Sequence, residues 1–190
     1  MASYLFTDLL KQAPAEIRRN TADARTWLNQ NIQTTATPGR LLQRDPDRPS
    51  RISTTPNPGN LNMFIYDAKT KGKLNYFDRF PLILYAGGAA GGFMGLNLHY
   101  LPPILRARLF DRMYAGQPQL TTPNTGSAIA MARRLNYYKP CIKRYLNSHV
   151  RSRFVQIYPD EWNLAIFLPT ERFSGGSKSE VFSESIEKIY

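Results

Sequence analysis

Between Asp111 and Asp160 there is no acidic residue, while eight basic side chains fall in the gap: Arg112, Arg133, Arg134, Lys139, Lys143, Arg144, Arg151 and Arg153. Tyr137, Tyr138, Tyr145 and Phe154 are interleaved with them. Folded surfaces usually intersperse charges of both signs, because like charges held close together repel. A one-sign stretch of this length suits an anion supplied from outside, either nucleic-acid phosphate or the acidic face of a partner protein. Guanidinium and ammonium groups would neutralise phosphates while tyrosine rings stack on bases or sugars. The candidate contact residues are then Arg133, Arg134, Lys139, Lys143, Arg144, Arg151 and Arg153, with Tyr137 and Tyr138. The competing reading buries the tyrosines in the core and lets the basic heads snorkel or meet acidic neighbours. Any nucleic-acid contact is expected to be sequence-independent, since no groove-reading helix with Asn or Gln readers is visible.

Other chemistries find weaker support. The glycine-rich GGAAGG at 87–92 lacks the Lys-Ser/Thr that completes a P-loop, and reads as a hairpin tip. His99, His149 and Cys141 show no metal-ligand spacing. Cys141 follows Pro140 in a basic segment that could lower its pKa. No His or Asn partner is suggested by spacing, however, and a lone cysteine more often packs as a small apolar residue. Pro159-Asp160 opens in the manner of a metal-dependent nuclease motif. The second acid and lysine of such a motif are missing, because Glu171 is followed by Arg172 and Phe173, so a two-metal ligand set fails. The chain is therefore expected to be non-enzymatic, without cofactor or metal.

The elements that must position these residues sit in a chain of 190 residues, enough for one domain of ordinary size with a peripheral arm. An apolar fraction of 42% supports a core, and 14 prolines with 12 glycines imply many turns. The formal net charge is +11. Residues 1–170 hold 22 basic against 10 acidic residues and the last twenty hold three against four, so the excess lies in the body. The single cysteine excludes an intrachain disulfide. No secretory signal and no membrane-length apolar run are visible, so a cytosolic product, or one assembled in the cytosol, is expected.

Ile17, Thr21, Ala24, Leu28 and Ile32 recur at helical spacing and predict a helix over 14–33 with a narrow apolar stripe, suited to docking on another subunit. Residues 34–61 carry five prolines and the arginines Arg40, Arg44, Arg48 and Arg51 at three- or four-residue steps. This composition predicts an extended arm that reaches along a neighbour, and its arginines join the candidate contacts. Strands are predicted at 63–68, 80–86, 93–101 and 151–158. Helices are predicted at 103–115, at 127–139 with Ser127 as cap, at 140–149, and from Pro159 onward. The fold class is α+β: a small antiparallel sheet or SH3-like barrel packed with short helices, plus an N-terminal helix and an extended arm. The expected divisions are a helical segment at 1–33, the arm at 34–61, a globular domain at 62–173 and a flexible tail at 174–190.

The segments MFIYDAKTKGKLNYFDRFPLILY, GGFMGLNLHYLPPILRARLFDRMY and YYKPCIKRYLNSHVRSRFVQIYPDEWNLAIFLPTERF resemble small structural proteins of T4-like contractile-tailed phages. Their most specific pieces are YFDRFPL, GLNLHYLPP and FLPTERF, and the resemblance covers roughly residues 62–173. It implies a virion protein, assembled in the host cytoplasm and bound to other virion proteins in a symmetric array. It transfers no catalytic residues. The expected role is a tail baseplate component held by its arm and basic face. The alternative is a protector of packaged DNA ends, contacting double-stranded DNA through its phosphates.

Overall fold

A computed structural model of the chain describes residues 5–11, 21–26, 51–115, 123–167 and 171–189. Its strands are β1 (Ile52–Ser53), β2 (Leu61–Met63), β3 (Phe77–Asp78), β4 (Leu82–Ala89), β5 (Gly92–Asn97), β6 (Ile142–Leu146), β7 (Phe154–Ile157) and β8 (Phe173–Ser174), and the longer ones are rich in large apolar residues that favour extended backbone. Six of them form one sheet in the order β1-β7-β2-β4-β5-β6, each neighbouring pair antiparallel, and β3 pairs with β8 separately. The fold is α+β with an open antiparallel sheet, not a closed SH3-like barrel. Closure requires edge strands that tilt and pair with each other, whereas β1 pairs over two residues and β6 stands at the opposite edge.

One face of the sheet presents Leu61, Met63, Leu82, Leu84, Leu96, Val155 and Ile157 to the helices. These are α1 (Leu5–Leu9), α2 (residues 21–26), α3 (Pro103–Tyr114), α4 (Thr125–Arg134), α5 (Trp162–Phe167) and α6 (Lys178–Ile186). Leu105, Leu109, Phe110 and Met113 of α3 are buried here beside Trp162. Phe110 stacks on Trp162 at 5.1 Å, and the indole N–H donates to the Ile157 carbonyl at 3.1 Å. The other face carries an aromatic cluster of Phe64, Tyr66, Phe93, Tyr145 and Phe154. Its rings meet mostly edge to face, as between Phe64 and Tyr145 at 5.2 Å.

Pro103 opens α3, where its missing N–H costs nothing. The carboxylate of Asp111, one turn before the end of α3, accepts from the Phe6 amide at 2.7 Å and the Thr7 amide at 3.2 Å, and also from the Thr7 hydroxyl. A buried acid thus satisfies the orphan amides of α1 and fixes that helix to the body. Of the helix predicted at 14–33, residues 21–26 are described, and they are helical.

Several local expectations are corrected. GGAAGG is not a six-residue loop: β4 runs on to Ala89, and the turn is confined to Ala90 and Gly91, the latter at φ +68°. Small residues read as a loop in isolation, yet they pair with Phe93 and Gly92 across the hairpin. Residues 140–149 are not a helix but contain β6, because β5 offers an unpaired edge to Ile142–Leu146. The cap of α4 is Asn124, whose side chain accepts from the Ser127 amide at 3.1 Å. Within the predicted tail, Lys178–Ile186 form the helix α6. Ser177 and Glu180 form a capping box at the start of α6, and Val181 is buried. Finally, the predicted arm includes residues of the sheet, since β1 and β2 both begin before residue 62.

Candidate nucleic-acid interface

The basic stretch is distributed over three successive pieces of chain. α4 ends with Arg133 and Arg134, where cations also favour the negative end of the helix dipole. A 3-10 segment at Asn136–Cys141 follows with Tyr137 and Lys139, and β6 then brings Lys143 and Arg144 to the edge of the sheet. Two of these side chains are gathered on one hairpin. A bulge between Tyr85 and Gly87 interrupts the β4–β5 register, and Arg133 donates to the Ala86 carbonyl there at 3.5 Å. Arg144 donates to the Ala90 carbonyl at the hairpin tip at 2.6 Å.

Arg133, Arg134, Lys139, Arg144 and Arg153 are exposed, and among the described residues none of them forms a salt bridge. Arg151 and Arg153 belong to the segment before β7, a strand four places from β6 in the sheet. Arg151 is half exposed, donates to the Ser148 carbonyl at 3.1 Å and stands 3.7 Å from Asp67. The structure therefore places these two apart along the fold from the hairpin-anchored group. Arg112 is exposed on α3.

Other candidates are accounted for by the fold itself. Tyr138 is buried and its hydroxyl donates to the Leu105 carbonyl at 3.3 Å, so it is a core residue and not a stacking platform. Tyr145 is likewise enclosed in the aromatic cluster. Tyr137 remains half-buried, tilted against Tyr138 at 4.8 Å. Arg51 is not an arm residue facing phosphate. It is buried and makes a two-pronged pair with Glu161, at 3.0 and 2.8 Å. Arg40, Arg44 and Arg48 lie outside the described residues.

Lys143 differs from its neighbours in being partly buried. Its ammonium lies 3.9 Å from the centroid of the Tyr100 ring, and burial lowers its pKa. It lines a cavity of about 450 Å³ together with Tyr66, Lys69, Tyr76, Phe77 and Tyr100. No local signal marks this cavity, because its walls come from the 66–78 segment, Tyr100 and β6, which are distant in sequence. Cys141 is fully buried, and burial pushes its thiol up to about 12, so it is protonated at neutral pH.

The acidic residues show why the surface is so positive. Asp111 caps α1, Glu161 pairs with Arg51, Asp78 bonds His99 at 2.7 Å, and Glu171 bonds both Arg106 at 2.6 Å and Lys178 at 2.8 Å. These four carboxylates are engaged within the fold, two of them by the buried Arg51 and Arg106, while Arg133, Arg134, Lys139, Arg144 and Arg153 stand exposed.

A family model described as the phage T4 terminal DNA protecting protein matches residues 16–189. The chain belongs to that family. The match agrees with the resemblance to T4-like phage proteins and extends it, since it takes in most of the N-terminal helical segment, the proline-rich residues and α6. No curated protein and no solved structure matches the chain.

Proposed function

We propose that the protein binds the ends of linear phage DNA and shields them from exonucleases without catalysing a reaction. The observation that carries this reading is the family match over residues 16–189, whose description is that of a terminal DNA protecting protein. The match supports the DNA-end role over the tail baseplate role set out above. The exposed cations give the reading its physical means. Arg133, Arg134, Lys139 and Arg144 come from the contiguous α4-to-β6 stretch, make no salt bridge among the described residues, and are free to replace counterions on phosphates. Tyr137 stands among them to meet a sugar or base. Such contacts follow the backbone and are indifferent to sequence. The site of action is the virion, or the host cytoplasm wherever phage DNA ends are exposed.

The test is digestion of a linear duplex by a processive double-strand exonuclease. Protein added in small excess over DNA ends should preserve full-length duplex, and a circular duplex should not compete efficiently. Rapid digestion at every protein concentration overturns the reading. So does cutting of the DNA by the protein alone in the presence of Mg²⁺ or Mn²⁺.

A further inference from the structure

The open edge of β6 forms one wall of the 450 Å³ cavity, and the segment from Tyr66 to Asp78 forms much of the rest. This volume falls in the range of about 300–1,000 Å³ typical of small-ligand pockets. Five aromatic side chains, Tyr66, Tyr76, Phe77, Tyr100 and Tyr145, line it together with Lys143. Lys143 makes no salt bridge among the described residues, and its ammonium faces the Tyr100 ring. Asp78, the carboxylate in the lining, is already engaged by the Phe80 amide, the Asn97 side chain and His99. Aromatic rings thus stand beside three cations, Lys69, Lys143 and Arg144, of which Lys143 is the partly buried one, a pairing that suits a planar ring attached to an anion.

We propose that this cavity receives the terminal nucleotide of a DNA strand, with its phosphate on Lys143 and its base or sugar against Tyr66, Tyr76 and Phe77. The proposal rests on the DNA-end reading and supplies what the exposed basic side chains lack. Phosphate contacts alone cannot tell an end from an interior stretch. An interior base is stacked on both faces and a terminal base on one, so the terminal base is the easier to splay outward. A pocket for one nucleotide converts backbone binding into recognition of an end. A phosphate arriving beside Lys143 would also favour the charged form that burial disfavours.

The full chain is titrated into duplexes carrying 2-aminopurine at the terminal position or in the middle, and its affinity is compared for linear and circular DNA. Binding should change the fluorescence of the terminal probe and leave the central probe unaltered. Lys143→Met should reduce the preference for linear DNA by about tenfold, as expected for loss of one charged contact. Leu74 lies on the cavity wall and is 43% exposed, so Leu74→Trp fills the mouth without disturbing the core and should have the same effect, while Leu74→Ala should not. If the protein prefers linear DNA but the terminal probe is silent and both variants keep the preference, the pocket assignment falls and the end-binding reading stands. If the unaltered protein does not distinguish linear from circular DNA, both fall.

Discussion

Glu171 sits between Arg106 and Lys178 with its side chain 6% exposed. Burial alone would raise its pKa, but the Arg106 guanidinium, His99 and the hydrogen bonds from Lys178 and Arg106 outweigh it and hold the carboxyl at about 2, below its ordinary 4.5. A group whose pKa is depressed on folding stabilises the fold above its unfolded pKa and loses that contribution as the pH falls through the folded value. Glu171 is worth roughly 3 kcal/mol at neutral pH on this basis, and the contribution drains away between about pH 4.5 and 2. Glu171→Gln should therefore lower stability at pH 7 by a few kcal/mol, partly because Arg106 is left buried without its counter-charge. Chemical denaturation at pH 7 and at pH 2.5 checks this. The variant and the parent should differ much less at the lower pH, and a constant gap between them would exclude the linkage. The Arg51–Glu161 pair is of the same kind: a cation that the sequence offers to phosphate is spent on holding β1 and the start of α5 together.

At the scale of elements, β6 decides where the basic residues stand. A Cβ on Gly92 would overlap the Tyr145 carbonyl, so β5 and β6 approach closely only because residue 92 has no side chain. Gly92→Ala should detach the tip of this hairpin from β6. The measurement is hydrogen exchange: amides of Ile142–Leu146 should exchange faster while those of β2 and β7 stay protected, and an unchanged β6 would refute the argument. Expected destabilisation is about 1–3 kcal/mol, typical of overpacking. The same strand marks the limit of what was legible in the sequence. Period-two alternation revealed β4, β5 and β7, and Pro103 announced α3, because those signals are local. IKRYL carries no alternation strong enough to separate strand from helix, and its pairing is decided by the edge of β5, some fifty residues away in sequence. The α6 helix was legible in principle, since Ser177 and Glu180 have capping-box spacing, but the glycines before it read as a flexible tail. Of the candidate site, the exposed Arg133, Arg134, Lys139 and Arg144 could be read as surface cations, while the burial of Tyr138, the pairing of Arg51 and the cavity around Lys143 depend on contacts over long sequence separations.

For the whole molecule the governing fact is the excess of basic over acidic residues, 25 against 14. Asp78, Asp111, Glu161 and Glu171 are bound to partners inside the fold, so the formal charge of +11 is expressed mainly at the surface. A body of this kind attracts any polyanion, and its affinity should report how many phosphates it neutralises. Contact with about six phosphates corresponds to a slope of log K against log salt near −5, at about −0.9 for each phosphate. Replacing Arg133, Arg134, Lys139 and Arg144 together by alanine should remove about four of these and bring the slope to about −2. All four are exposed and make no salt bridge among the described residues, so the fold should survive with its melting temperature little changed. One control makes the comparison decisive. Arg151→Ala with Arg153→Ala, in the segment before β7, tests whether the contact surface extends that far: a further fall in slope would join the two basic groups into one surface. An unaltered slope in the fourfold variant would mean that the phosphates are held elsewhere, and the α4-to-β6 surface would lose its assigned role.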